Sequence, residues 1–314
     1  MRKVYIVANP AAGQDNLNVR ELNVIYRAAG VDWDLGFTKG EGDATRLARE
    51  AAERGVDVVA AYGGDGTVAE VANGLLGTRV PLAIIPGGTA NVMSVELGIP
   101  GNFLQACALL ATEMLHLRRI DVGVVDGRHF LLRTSLGLEA RMVEGADRNL
   151  KNRFGNLAYG LSALNALRKP QLYQYRFEMD GRTIEDEGIA CIVANSGNLG
   201  LPGLRLASNI EVDDGLLDVI VVSSADMSGI ISVISSMMGQ QRPEQVLNSN
   251  QTSQPGIVRH WQAQQIRIEA TPNDVVQCDG EMIGETPKEV SVLPGAVEVV
   301  VPLPVLADVA LAGA

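Results

Sequence analysis

The hexapeptide Tyr62-Gly63-Gly64-Asp65-Gly66-Thr67 lies between an unbroken apolar run at residues 56–61 and a stretch with helical spacing at 68–76. That order reads as strand, glycine turn, helix. Glycines at a helix N-terminus let main-chain N–H groups come close to an anion, and the helix dipole adds about half a positive charge there. Thr67 reads as the helix cap, with Glu70 three residues on completing a capping box. The same pattern also suits a plain capped turn with no ligand. Asp65 bears on the choice, because a carboxylate in a phosphate-binding turn is repulsive unless a metal or a protonated hydroxyl lies between.

Working outward, two more turns have the same setting. Pro86-Gly87-Gly88-Thr89-Ala90-Asn91 follows an apolar run at 82–85, and Asn9-Pro10-Ala11-Ala12-Gly13 follows one at 4–8. Helical spacing is predicted at 17–29 and 44–52, with an alternating strand at 33–37. Strands apolar on both faces and alternating with helices predict a doubly wound parallel sheet. In such sheets ligands bind beyond the carboxyl ends of the strands, so the three turns are expected to line one crevice. No Walker A match exists. Gly64-x-Gly66-x-x-Ala69 fits a relaxed dinucleotide fingerprint, but the next strand ends in Pro86-Gly87-Gly88 and carries no acid for a ribose. Hydride transfer is thereby demoted.

Beyond residue 120 the rhythm changes. Short β runs are predicted at 122–125, 130–134, 173–179, 189–194, 217–222, 266–269, 290–293 and 297–301. Asp126-Gly127, Asp180-Gly181 and Asp279-Gly280 serve as turn signals. Helical material is expected at 145–167 and 227–238, and a polar loop at 240–255. The reading is therefore an N-terminal α/β nucleotide-binding domain, 1–120, and a mainly antiparallel, β-sandwich-like domain, 121–301. A tail at about 302–314 is free to pack back on the first.

The whole chain has 314 residues, 46% of them hydrophobic and 20% charged, which is ordinary globular composition. Its net charge of −11 argues against nucleic acid as a partner, since a phosphate backbone demands a basic footprint. Three dispersed cysteines, Cys107, Cys191 and Cys278, fit a reduced cytoplasmic protein and neither a disulfide framework nor a zinc site. No uncharged apolar stretch reaches the roughly 18 residues of a membrane span.

Gly63-Gly64-Asp65-Gly66-Thr67, followed by Pro86-Gly87-Gly88-Thr89-Ala90-Asn91, resembles the diacylglycerol kinase catalytic family. That family includes soluble bacterial lipid kinases and sphingosine kinases, with NAD kinases as more distant relatives. The likeness continues through Ile120-Asp121-Val122-Gly123, Ser135-Leu136-Gly137-Leu138, Ala194-Asn195-Ser196, Asp213-Asp214-Gly215-Leu216-Leu217-Asp218 and Cys278-Asp279-Gly280-Glu281, nearly the whole chain. It implies phosphorylation of a lipid hydroxyl with ATP and Mg2+.

The resemblance also assigns residues. ATP contacts fall on Asn9, Pro10, Ala11, Ala12 and Gly13, on Thr38, on Gly63, Gly64, Asp65, Gly66, Thr67 and Glu70, and on Gly88, Thr89 and Asn91. Asp65 is the candidate for the catalytic Mg2+, joined by Asp121. Val92 stands where family members often carry a further acid. The proton acceptor is placed in Asp279-Gly280-Glu281, at Glu281 or Asp279, although the local sequence reads as a hairpin turn. Asp65 and Asp279 lie far apart in the chain, so this reading expects a site formed between the domains. A structural Mg2+ is implied at Glu211, Asp214 and the carbonyl of Leu216, where the local sequence alone reads as a solvated turn. Lys39, Lys151 and Arg153 read as surface charges rather than phosphate partners, and His116, His129 and His260 as structural.

The lipid is expected to reach the site by peripheral contact of a cytoplasmic protein with a membrane surface. Residues 227–238 read first as a core helix of the second domain, with a membrane-touching lip as the alternative, and residues 199–204 as an apolar candidate for the acyl entrance. A homodimer is left open. Two alternatives stand beside the lipid kinase: a soluble-substrate kinase of the NAD kinase type, and a nucleotide sensor without catalysis.

Overall fold

A computed structural model describes residues 1–11, 18–137, 140, 171–199, 205–207, 209–223 and 258–303. Ala12, Gly13, Lys151, Arg153, residues 145–167, 200–204, 227–238 and 240–255, and most of the expected tail lie outside the described residues. Two compact units form. One draws on Met1–Gly88, Leu97–Arg119 and residues 297–303, the other on Thr89–Glu96 and Ile120–Ala296.

The first unit contains β1 (Arg2–Ala8), α1 (Val19–Ala28), β2 (Val31–Phe37), α2 (Asp43–Glu53), β3 (Val58–Gly63), α3 (Asp65–Leu75) and β4 (Leu82–Pro86). A short α4 (Val92–Glu96) belongs to the second unit, and the chain returns to the first with α5 (Phe103–Ala108). The strand order is β2-β1-β3-β4, with every pair parallel. α2 packs on α3, β1 and β3, while α1 packs on β2 and α5. Every residue of β3 and β4 is buried, as a strand covered on both faces requires. β2 sits at the edge and alternates between covered and exposed positions.

β3 runs to Gly63, two residues beyond its predicted end, because its ladder with β4 continues to Gly63 opposite Pro86. α3 accordingly starts at Asp65, with Gly64 as its N-cap. Thr67 is thus inside the helix, and the expected capping box does not form. Glu70 instead caps a neighbouring helix: its Oε2 accepts the N–H of Ala44 at 3.1 Å, in the first turn of α2. In α1 only Leu22 and Tyr26, one turn apart, are buried.

The chain then runs through β5 (His116–Val125), β6 (Arg128–Phe130), β7 (Arg133–Gly137), β8 (Tyr173–Met179), β9 (Arg182–Gly188), β10 (Ala190–Ala194), β11 (Leu217–Val222), β12 (Val258–Ala263), β13 (Gln265–Thr271), β14 (Val275–Cys278), β15 (Glu281–Glu285) and β16 (Lys288–Val301). An antiparallel sheet takes the order β12-β11-β10-β7-β14-β15. Within the same unit β9, β8, β13 and the start of β16 form a second antiparallel layer. Tyr173, Tyr175 and Phe177 of β8 share one core with Val193, Val219, Ile268 and Val276, so the inner faces of the two layers meet. β16 is one long strand where two were predicted; Gly295, at φ 55, carries it past Pro294. Its end passes into the first unit, where Val299 pairs in parallel with Leu82. All three cysteines are free and buried, and burial pushes the Cys107 and Cys278 thiols up to about 12.

Candidate active site

In the first unit three turns are tied together by main-chain and side-chain hydrogen bonds. Asn9 sits at the end of β1. Its N–H donates to the Tyr62 carbonyl at 2.9 Å, and its Nδ2 donates to Thr67 Oγ1 at 3.2 Å. Its Oδ1 accepts the N–H of Ala11 at 3.0 Å, which closes the first turn on itself. Gly87 N–H donates to the Gly63 carbonyl at 2.9 Å. The glycines permit this closeness. A Cβ at Gly63 would lie 2.5 Å from Thr67 Oγ1, one at Gly64 would lie 3.4 Å from the Gly88 Cα, and one at Gly87 would lie 3.4 Å from the Gly63 Cα. At Gly66 nothing stands within 4 Å of an added Cβ.

A cavity of about 260 Å³ opens beside this junction. Asn9, Pro10, Ala11, Thr38, Thr67 and Glu70 line it, so six sequence-predicted nucleotide contacts come together there. Thr38 is placed by its N–H, which donates to the Ala8 carbonyl at 2.9 Å. Among the described residues the lining also holds one cation, Lys39, exposed as a surface charge is expected to be, together with Glu41. Asp65, half-buried, occupies the first turn of α3, where the helix dipole favours a carboxylate. Thr89, exposed, and Asn91, at φ 47, belong to the second unit, where the Asn91 carbonyl accepts the N–H of Val95 in α4 at 3.0 Å.

The second unit holds the remaining carboxylates. Asp279 and Gly280, at φ 44 and 88, are the two-residue turn between β14 and β15. Both left-handed values mark the hairpin turn that matches strand twist. The Asp279 carboxylate accepts three successive main-chain N–H groups: Leu131 at 2.9 Å, Leu132 at 3.1 Å and Arg133 at 2.9 Å. Burial pushes its pKa above the usual carboxylate range, with the three N–H bonds pulling the other way. Glu281 is half exposed and forms an ion pair with Arg128. Nothing in the sequence singled out Arg128, because its partner is distant in the chain. The main-chain cradle on Asp279 was equally hidden, since Leu131 and Leu132 read only as apolar.

Asp121 is buried, and its two oxygens accept the N–H groups of Gly215 and Gly295, both at 2.7 Å. Its carboxylate is thus committed to holding the 211–216 turn against β16, and burial raises its pKa. In that turn Asp214 Oδ1 accepts the N–H of Leu216 at 3.0 Å and Oδ2 accepts Gln262 Nε2 at 3.1 Å, with Glu211 exposed. Among the described residues no three His, Cys, Asp or Glu side chains stand together as a metal site. His260 Nε2 lies 2.5 Å from Asp218 Oδ1, a partly covered pair across β11 and β12.

A parallel α/β unit with fused glycine turns, followed by a β-sandwich, is the architecture of lipid kinases related to diacylglycerol kinase. Residues 3–125 match the family model described as diacylglycerol kinase catalytic domain, and residues 133–301 match the YegS C-terminal NAD kinase beta sandwich-like domain. The chain belongs to this family. It is 29% identical to the "Diacylglycerol kinase" of Bacillus subtilis, over 96% of this chain and 97% of that one. It is 32% identical to a "Probable lipid kinase YegS-like" of Pseudomonas aeruginosa, over 91% and 90%. The crystal structure of a diacylglycerol kinase from Bacillus anthracis superposes with a TM-score of 0.72 at 29% identity, covering 96% of this chain and 97% of that one. No helix among the described residues is long and apolar enough to cross a membrane.

Proposed function

We propose that the protein transfers the terminal phosphoryl group of ATP, with Mg2+, to a hydroxyl of a diacylglycerol-like lipid met at the cytoplasmic face of a membrane. The observation that carries this reading is the junction of Asn9, Gly63, Thr67 and Gly87 beside a polar cavity, in a chain of the lipid kinase family. α3 begins at Asp65 beside this junction with no side-chain cap, and the first turn of a helix suits a phosphate chain held by main-chain N–H groups. Asp65 would hold the metal together with phosphate oxygens and water, since Mg2+ commonly takes one or two carboxylates and keeps much of its hydration. Bound Mg2+·ATP supplies an electrophilic phosphorus with its charge partly neutralised.

The chain's own groups do the rest. Asn9 and Thr67 fix the turn that faces the phosphates. Glu281 would take the proton of the lipid hydroxyl as that oxygen bonds to the terminal phosphorus and the bond from that phosphorus to the departing ADP oxygen breaks, and Arg128 would set the direction of the carboxylate. Asp279, held by its three N–H donors, anchors the hairpin on which Glu281 stands. A second cation at Glu211, Asp214 and the Leu216 carbonyl would brace the second unit.

The test is incubation with radiolabelled ATP, Mg2+ and a panel of diacylglycerol, sphingosine, phosphatidylglycerol and undecaprenol, with NAD as the soluble acceptor. One labelled lipid, lost in Glu281→Gln, is the expected outcome. Label on NAD alone, or nucleotide binding with no labelled acceptor, refutes the lipid kinase reading.

A further inference from the structure

Asn195 follows β10 and is fully buried. Its Nδ2 donates to two main-chain carbonyls, Asp121 at 3.0 Å and Leu131 at 2.9 Å. The main-chain N–H groups of Asn195 and Ser196 both donate to the Leu132 carbonyl, at 2.9 and 3.0 Å. Asn195 therefore grips the carbonyl edge of the short segment whose N–H edge converges on Asp279.

The two edges are mechanically one. A peptide unit is planar, so the Leu131 carbonyl and the Leu132 N–H turn together, as do the Leu132 carbonyl and the Arg133 N–H. Each plane is held by the Asn195 turn at one end and gives its N–H to Asp279 at the other. Donors on a carbonyl also polarise the N–H of the same amide. The Asn195 turn is anchored in its own right. Ser196 Oγ and the Asn198 N–H donate to Glu96 Oε2 at 2.8 and 2.9 Å, and Arg205 Nη1 donates to Glu96 Oε1 at 2.9 Å. Glu96 ends α4 and its side chain is nearly covered.

We propose that Asn195 is a positioning residue for phosphoryl transfer, orienting the N–H groups of Leu131, Leu132 and Arg133 that hold Asp279 and its hairpin. This rests on the proposed role of the Asp279-Gly280-Glu281 hairpin. Among the described residues the cavity is lined by side chains of the first unit, from Asn9 to Glu70, while Asn195 belongs to the second unit. Its loss should therefore reach the rate and spare ATP binding.

The experiment measures kcat and the KM for ATP with dioleoylglycerol in mixed micelles, for wild type, Asn195→Ala, Asp279→Asn and the double variant. Asn195→Ala is expected to lower kcat about tenfold or more, with KM for ATP within about twofold. In the Asp279→Asn background it should lower kcat no further, because residues acting through one another are not additive. A kcat near wild type, or the same proportional loss in both backgrounds, overturns the proposal. Full activity of Asp279→Asn alone overturns the reading of the hairpin, and the inference with it. If either variant does not fold, Asn195→Ser, which keeps one donor, is judged by the same division between kcat and KM.

Discussion

Gly63 and Gly66 stand three residues apart and answer to different constraints. At Gly63 the space for a side chain is already taken by Thr67, which is buried and fixed in α3. Gly63→Ala should cost about 1–3 kcal/mol, the usual range for overpacking, and a denaturant titration would measure it. Gly66 lies inside α3 with open space beside it. Gly66→Ala should therefore stabilise the free protein by about 0.5–1 kcal/mol while weakening ATP binding in calorimetry, because the methyl group occupies the approach to the turn. Unchanged binding in Gly66→Ala would place the phosphates elsewhere.

Two elements depend on side chains from outside themselves. The N-terminus of α2 has Gly42 as its cap residue, with no side-chain cap, and takes Glu70 from α3 in its place. Glu70→Ala should cost about 1 kcal/mol, the typical worth of a cap. Glu70→Gln, which keeps an acceptor oxygen, should cost less; equal melting temperatures for the two variants would show that the cap carries no weight. The β14–β15 hairpin depends on Asp279. Because burial raises its folded pKa above the ordinary value near 3.9, the folded state binds that proton more tightly than the unfolded state. Its stabilising contribution is full below the ordinary value and is lost as pH rises through the folded one. Chemical unfolding followed upward from mild acid should show this decline, and Asp279→Asn should flatten it. A decline equally steep in the variant would assign it to other groups.

For the molecule as a whole, a net charge of −11 would govern how a membrane is met under the proposed function. An acidic protein is repelled by anionic headgroups, and salt screens that repulsion. Added salt should therefore leave unchanged or increase its sedimentation with anionic vesicles. Binding that falls steeply with salt would reveal a basic docking face. The long β16 links the scales, since its start pairs with β13 in the second unit and its end with β4 in the first.

The order of elements in the first unit was legible in the sequence because doubly covered strands are written as continuous apolar runs, as in β3 and β4. The glycine turns were legible for a related reason: a position that cannot hold a Cβ shows as a glycine whatever surrounds it. β9, with the sequence RTIEDEG, was missed because its pairing comes from β8 across a turn and not from its own composition. Thr67 was misplaced because the ladder with β4, not local capping, sets where α3 begins. Residue order alone set which backbone turns were available and which runs had to be covered. That Asp279 meets three N–H groups and that Asn195 holds their far edge came from the folded chain, because main-chain donors carry no letter in a sequence and their partners lie scores of residues away.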